Sequence, residues 1–387
     1  MNWEDQLLLL PGPTPVPPGI LRAMSQPMIN HRGAEFKQLL EECTDGVKQI
    51  YRTKNDLIIF PSAGSGGLEA ASVNFIAPGD KVLAISIGVF GDRFAKLGGM
   101  FGGEVTKLEF PWGTAADPAA VREAIAADKE KKYKAILVTH NETSTGVLND
   151  IKAIREAVGD HPALFMVDAV SGMAAAELRT DEWNLDVVVS GSQKAFMIPP
   201  GLSFMSISPK ALKAAEANPN PRFYWDVDAA LKYLKKGQTP YTPAITMFYA
   251  LKEALNLMLA EGLDNVIARH RFSRDLVRAG VKGMGLTPFV ADEAASCSLT
   301  AVMAPKDLGA NKIRKRVQER FNIVLAGGQQ NLDDVIIRIG HLGYVPALDL
   351  IKAMTALEIT LYELGYPVTL GAGIKKAQEM LIMKEDS

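Results

Sequence analysis

Residues Asp186 to Gly201 read DVVVSGSQKAFMIPPG, and the reading of this stretch decides the fold. The run Val187 to Val189 is apolar and β-branched, the composition of a strand buried on both faces. Ser190, Gly191 and Ser192 follow as a turn of small residues, and Lys194 comes after Gln193, ahead of an apolar segment closed by Pro199, Pro200 and Gly201. A lysine just past a buried strand, between a small-residue turn and apolar neighbours, is badly placed for a solvated surface charge. Burial and neighbouring groups turn such an amine into a nucleophile. A loop lysine that snorkels to water satisfies the same stretch, so the choice falls to the rest of the chain.

Working outward, the pattern repeats upstream. Strands are expected at Leu57 to Phe60, followed by PSAGSGGLEAA, and at Lys81 to Ile87, followed by GVFGDRF, each leading into a helix. A more polar strand is expected at Val105 to Phe110, then a helix from Pro118 to Ala127 with Asp117 as its cap. Ala135 to Thr139 reads as a strand followed by HNETSTGVLND and a helix from Ile151, and Leu164 to Val167 reads as a strand that ends at Asp168. Leu202 to Ile207 is the strand after the lysine turn. Strands alternating with helices predict an α/β fold, a mostly parallel sheet covered on both faces.

At the front of the chain, LLLPGPTPVPP is too proline-rich for a regular helix and reads as an extended arm, and Ala34 to Val47 has helical spacing. Beyond Pro243 the pattern turns helical, Ile245 to Leu259 and Leu263 to Val281. Strands at Ser298 to Val302, Ile323 to Leu325 and Val335 to Ile339 then mix with helices at Asn311 to Phe321 and Ala347 to Leu364. The expected organisation is an arm (1–15), a large domain (16–260) and a smaller C-terminal α+β domain (261–387).

Composition removes several classes of function. With 387 residues, 48% hydrophobic and 22% charged, the chain is ordinary globular material. Lys+Arg 42 against Asp+Glu 44 leaves no basic excess for nucleic acid or anionic lipid. Two cysteines, 5 histidines and no HExxH or CxxC spacing argue against a disulfide framework or a metal site. The start of the chain, MNWEDQLLLL, carries acids before its apolar run, and no apolar stretch approaches the ~18 residues of a spanning helix. The expectation is a soluble cytoplasmic protein.

Five features fall at the carboxyl ends of the expected strands, where open parallel sheets bind ligands. Ala63, Gly64, Ser65 and Gly66 form a turn whose backbone N–H groups can meet an anion at a helix N-terminus, and the same turn would serve without a ligand. Phe90 can stack on a flat ring or fill core. Glu142 to Gly146 carries hydroxyls that can bond a ligand oxygen or cap a helix. Asp168 closes an apolar strand, where a carboxylate stays ionised only with a cation or several donors. Lys194 is the fifth. Anion cradle, ring stack, hydroxyl, counter-ion and amine together are what pyridoxal phosphate (PLP) needs.

On these residues the chain resembles a fold-type I, class V PLP-dependent aminotransferase, most nearly the alanine/serine–glyoxylate group. The likeness runs from LLLLPGPTPVPP through SAGSGGLEAA, GVFGDRF, THNETSTGVL, FMVDAVSG and SGSQKAFMIPPG to VIIRIGHLG. It implies a seven-stranded sheet, Lys194 as Schiff-base lysine, Gln193 beside the cofactor, Asp168 on the pyridinium nitrogen, Ser144 on O3′ and Phe90 on the ring. It implies phosphate binding by Gly64 and Ser65. Ala63 stands where many relatives have a hydroxyl, so one phosphate contact is lost. Thr242 would reach the phosphate of a partner subunit, which implies a homodimer, and Arg338 would grip the substrate carboxylate. Thr239 stands where many relatives have a tyrosine, with Tyr241 close by. Met197 and Ile198 are bulkier than some relatives show.

The implied reaction is a ping-pong exchange from alanine or serine to glyoxylate or pyruvate. Three alternatives remain. A cysteine desulfurase would need a cysteine in the loop LAGGQQNLDD (325–334), which has none. An aminophosphonate transaminase would need an extra cation, for which Arg32 is the candidate. A non-catalytic protein would bind PLP and exchange no amino group.

Overall fold

The structure, a computed structural model, describes residues 5–385. The first four residues of the expected arm lie outside the described residues. Seven strands form the main sheet in the spatial order Asp56–Phe60, Ser203–Ile207, Val187–Gly191, Leu164–Asp168, Tyr133–Thr139, Lys81–Ser86 and Glu104–Glu109. Ser203–Ile207 runs antiparallel to both of its neighbours and the other pairings are parallel. The strand interiors are mostly apolar because helices cover both faces. Glu104–Glu109 is the exception. It sits at the sheet edge, with charged side chains facing water, which accounts for its polar sequence.

A second sheet has the order Leu7–Leu9, Ile323–Gly327, Ile336–Gly340 and Leu299–Met303. Leu7–Leu9 pairs in parallel with Ile323–Gly327, so the start of the proline-rich arm is a strand of this sheet. The arm then crosses to the main sheet, and a short helix, Pro18–Ala23, begins directly after the prolines. Proline at the first turn of a helix costs no hydrogen bond, so the run that excludes a helix before Pro18 starts one there.

Helix boundaries agree closely with the sequence periodicity. Pro118–Ala127 is capped by Asp117, whose carboxylate accepts from Ala119 N. The helix starting at Ala34 runs on to Tyr51, four residues past its expected end. The helices Pro209–Ala217, Val227–Leu234 and Ala372–Glu385 were not anticipated. No helix among the described residues is long and apolar enough to cross a membrane.

Candidate active site

The parallel strands aim their carboxyl ends at one edge of the main sheet. Asp168 ends one strand, and Lys194 lies three residues past the next, Val187–Gly191. The lysine turn is tightly built. Ser192 N and Oγ bond across it, to Leu202 O and Pro199 O, and Met197 N returns to Lys194 O. Met197 is buried with φ +58°, a left-handed conformation that costs a non-glycine residue energy unless its surroundings impose it. Met197 and Ile198 thus pack the underside of the turn that presents Lys194.

The Lys194 ammonium donates to the carbonyl of Pro11, and Thr14 Oγ1 donates to Lys194 O at 3.2 Å. The proline-rich arm therefore lies directly against the lysine. Gly12, at φ +109°, is the point of closest approach: a Cβ there would meet Lys194 Cδ and Nζ at 2.6 Å. Burial lowers the Lys194 pKa to about 8. Asp168 opposes that shift, and Arg338 and Arg93 add to it. Burial likewise raises Asp168 to about 7, partly offset by its hydrogen bond from Val170 N at 2.9 Å. A buried carboxylate held this far up is short of a cation, and a cation placed beside it restores its charge.

Gly64 opens the helix Gly64–Phe75, and no side chain caps it, because Ala63 at the N-cap has none to offer. Gly64 is buried against Val170, Ser65 is exposed, and Gly191 lies close to Gly64 N. The Oε1 of Gln193 is buried without a hydrogen-bond partner among the described residues. An uncapped helix N-terminus, an under-served carboxylate and an orphaned amide oxygen all border the same amine. That pattern fits a phosphorylated aromatic cation such as PLP.

Phe90 is half-buried at the N-terminus of Val89–Met100, and Arg93 lies over its ring at 4.8 Å from the centroid. Ser144 is fully buried. Its Oγ donates to Glu142 Oε1 at 2.5 Å and accepts from Val89 N at 3.1 Å.

Arg338 projects from Ile336–Gly340 of the second sheet. Its Nε donates to Gly327 O at 2.7 Å and its Nη1 to Thr143 O at 2.8 Å, which brings it to the strand-end cluster. It is 6% exposed, and burial lowers its pKa to about 10. No carboxylate lies within ion-pair distance of it among the described residues.

Thr242 is apart from this cluster. It is exposed, makes no hydrogen bond among the described residues, and lines a cavity with Thr239, Pro240 and Tyr241. Thr239 Oγ1 donates to Tyr241 O, and the Tyr241 hydroxyl donates to Phe223 O while its ring stacks on Tyr224. Both hydroxyls are satisfied within the chain. Arg32 is spent on the same turn, donating to Gln238 Oε1 and to the carbonyls of Thr239 and Pro240.

Sequence reasoning named Glu142 without giving it a role, and missed Arg93 and Pro11. The i, i+3 spacing of Phe90 and Arg93 on a helix start was the available signal. Nothing local pointed to Pro11, which acts through its backbone carbonyl.

The whole chain is similar to known proteins. The chain is 43% identical over 380 residues to the soluble hydrogenase small subunit of Synechococcus sp. (98% of this chain, 99% of that one). It is 37% identical over 383 residues to the serine–glyoxylate aminotransferase of Methylorubrum extorquens (97% and 95%). The crystal structure of ureidoglycine–glyoxylate aminotransferase from Bacillus subtilis superposes with a TM-score of 0.92 at 30% identity, covering 97% of this chain and 98% of that one. The family described as Aminotransferase class-V matches residues 8–343, and the chain belongs to the class V aminotransferases.

Proposed function

We propose that this protein is a PLP-dependent transaminase that moves the amino group of alanine or serine to glyoxylate or pyruvate in a ping-pong exchange. One observation carries the reading: a buried guanidinium with no acid at ion-pair distance among the described residues, Arg338, faces the cluster that holds a buried amine, Lys194. The first awaits a carboxylate and the second a carbonyl, and an amino acid with its cofactor supplies both.

PLP, when bound, supplies an electron sink for loss of the proton on the donor's Cα. The chain's own groups do the rest. Lys194 Nζ, with its pKa near 8, takes that proton and returns it one position away. Asp168 would hold the charge on the ring nitrogen, Phe90 would cover the ring face, and Gln193 and Ser144 would border its polar edge. Gly64 and Ser65 offer backbone N–H groups to the phosphate, with nothing added by Ala63. Arg338 would bind the donor carboxylate through the N–H groups that Gly327 O and Thr143 O leave free. Thr242, unemployed in its own chain, serves the phosphate of a partner subunit in a homodimer. We read the active unit as cytoplasmic and keep the division into arm (1–15), large (16–260) and small (261–387) domains. Glyoxylate as acceptor is supported by its place in the names of two similar proteins.

Desulfuration is disfavoured by the cysteines. Cys43 and Cys297 are buried, and burial raises both thiols, Cys43 to about 12. Aminophosphonate chemistry loses its cation, since Arg32 is bound to the turn at 238–240.

The test is the visible spectrum of protein purified with PLP. L-alanine or L-serine should bleach a yellow band and glyoxylate should restore it, while Lys194→Ala is isolated without the band. A band that no amino donor bleaches would reduce the protein to a PLP-binding module. No band at all would overturn the reading of Lys194.

A further inference from the structure

Glu142 is a fully buried carboxylate on the two-residue strand Asn141–Glu142, which pairs with Val147–Leu148 around a turn at Gly146. It makes no ion pair among the described residues. Instead it spends both oxygens on the start of another element. Oε2 accepts from Phe90 N and Gly91 N, each at 3.1 Å, and Oε1 accepts from Ser144 N at 3.1 Å and Ser144 Oγ at 2.5 Å. The helix Val89–Met100 has glycine at its N-cap and no side-chain cap of its own. Its first N–H, Val89 N, is taken by Ser144 Oγ and the next two by Glu142. The helix is therefore capped from across the sheet edge.

The backbone makes room for this device. A Cβ on Gly88 would come to 2.7 Å from Glu142 Cδ and Cγ and from Ser144 Oγ. A carboxylate at a helix N-terminus is favoured by the orphan N–H groups and by the macrodipole, which offset part of the burial that raises the Glu142 pKa.

We propose that Glu142 is the positioning residue of the cofactor pocket: from the neighbouring strand end it caps the helix that carries Phe90, and so holds the Phe90 ring and the Ser144 hydroxyl as one preset unit. The inference rests on the function proposed above. Phe90 sits at the second helical position, so the direction of its ring follows from where Glu142 anchors that turn. The Ser144 proton is committed to Glu142 and one lone pair to Val89 N. Ser144 then offers the pocket only an acceptor and serves chiefly to complete the cap. This reassigns part of the role that the family resemblance gives Ser144.

The test uses apo-protein titrated with pyridoxamine 5′-phosphate, which carries an amine and forms no bond to Lys194. Binding is read by quenching of tryptophan fluorescence, with Trp225 beside the Gly66 turn as a reporter. Glu142→Gln keeps the shape and loses the charged acceptor, and should weaken binding by at least ~10-fold, the loss expected for charge-assisted hydrogen bonds. Ser144→Ala should cost less than Glu142→Gln. In a Phe90→Leu background the Glu142→Gln effect should shrink to within ~3-fold, because residues acting through one another are not additive. Gly88→Ala, which displaces the same carboxylate sterically, should reproduce the weakening and the same dependence on Phe90, and it carries the cycle if Glu142→Gln does not fold. An undiminished penalty in the Phe90→Leu background, or wild-type affinity in both Glu142→Gln and Gly88→Ala, overturns the proposal and leaves the transaminase reading standing. Failure of the wild-type apo-protein to bind pyridoxamine 5′-phosphate overturns both.

Discussion

Arg338 and Arg278 are each 6% exposed, yet the structure uses them in opposite ways. Arg278, on the helix Leu263–Gly283, gives Nε to Asp292 Oδ1 at 2.8 Å and Nη2 to Val290 O at 2.8 Å, and Lys282 supports the same carboxylate. The Asp292 carboxyl is held below its usual range by Lys282 and Arg278. Arg338 donates to two carbonyls and, among the described residues, has no acid within ion-pair distance, only the longer-range pull of the buried Glu142 carboxyl. Burying a guanidinium costs free energy that an acid ordinarily offsets. Where the acid is missing, either the fold has accepted a cost or the acid arrives with a ligand. A buried arginine thus reports function through the partner it lacks.

The largest way to break this comparison is Arg338→Gln. It should lower kcat/KM for the amino donor by ~10- to 100-fold, the equivalent of one charge-assisted pair, mostly through KM. Its melting temperature should hold or rise, because no acid is left unpaired. A fall in stability with unchanged KM would make Arg338 a structural residue after all.

Arg278→Gln should do the reverse. We expect a loss of about 1–2 kcal/mol in urea unfolding, since Asp292 is largely solvated and keeps Lys282, with kcat/KM within ~2-fold of wild type. Asp292→Asn should cost at least as much, about 1–3 kcal/mol, because it leaves the buried Arg278 guanidinium with neutral acceptors only.

A pH dependence is expected on the Arg338 side. The strand carrying Arg338 continues through His341 to Gly343, whose N–H donates to His270 Nε2 at 2.9 Å. His270 and His341 are buried, and burial lowers each to about 3. Their neutral forms contribute stability that is fully present above the unfolded value of about 6.5 and is lost as pH falls toward about 3, at up to ~1.4 kcal/mol per unit for each. His140, lowered to about 4, acts the same way. Asp168, raised to about 7, and Glu142, also raised by burial, work in the opposite sense and offset part of this loss. Urea midpoints should therefore fall from pH 7 to 5. Hydrogen exchange should show Gly340–Gly343 loosening before the Arg278–Asp292 contact, whose carboxylate stays ionised over that range. A flat profile would remove the histidines from the argument.

Much of this was legible in the sequence for a simple reason. A strand, its turn and the residue that follows are consecutive, so Ala63, Phe90, Glu142, Asp168 and Lys194 could each be placed at a strand end by local pattern. The strand limits, the Asp117 cap and the edge character of Glu104–Glu109 are local in the same sense. The proline-rich arm was legible as extended. That its first part would add a strand to the second sheet was not, because three leucines carry no mark of their partner. The acceptor at Pro11 left no trace in the sequence, since any residue type has a carbonyl.

By itself, the sequence determined the parallel sheet, the placement of amine and carboxylate at its edge, and the resemblance that named their chemistry. Periodicity, turns and short motifs operate over a few residues. Only the tertiary structure decided that Arg338 reaches Thr143 across the chain without an acid, that Pro11 and Gly12 lie on Lys194, and that Glu142 caps a helix begun some fifty residues earlier. Those relations depend on how two sheets and an arm pack, and on which buried groups packing leaves without partners.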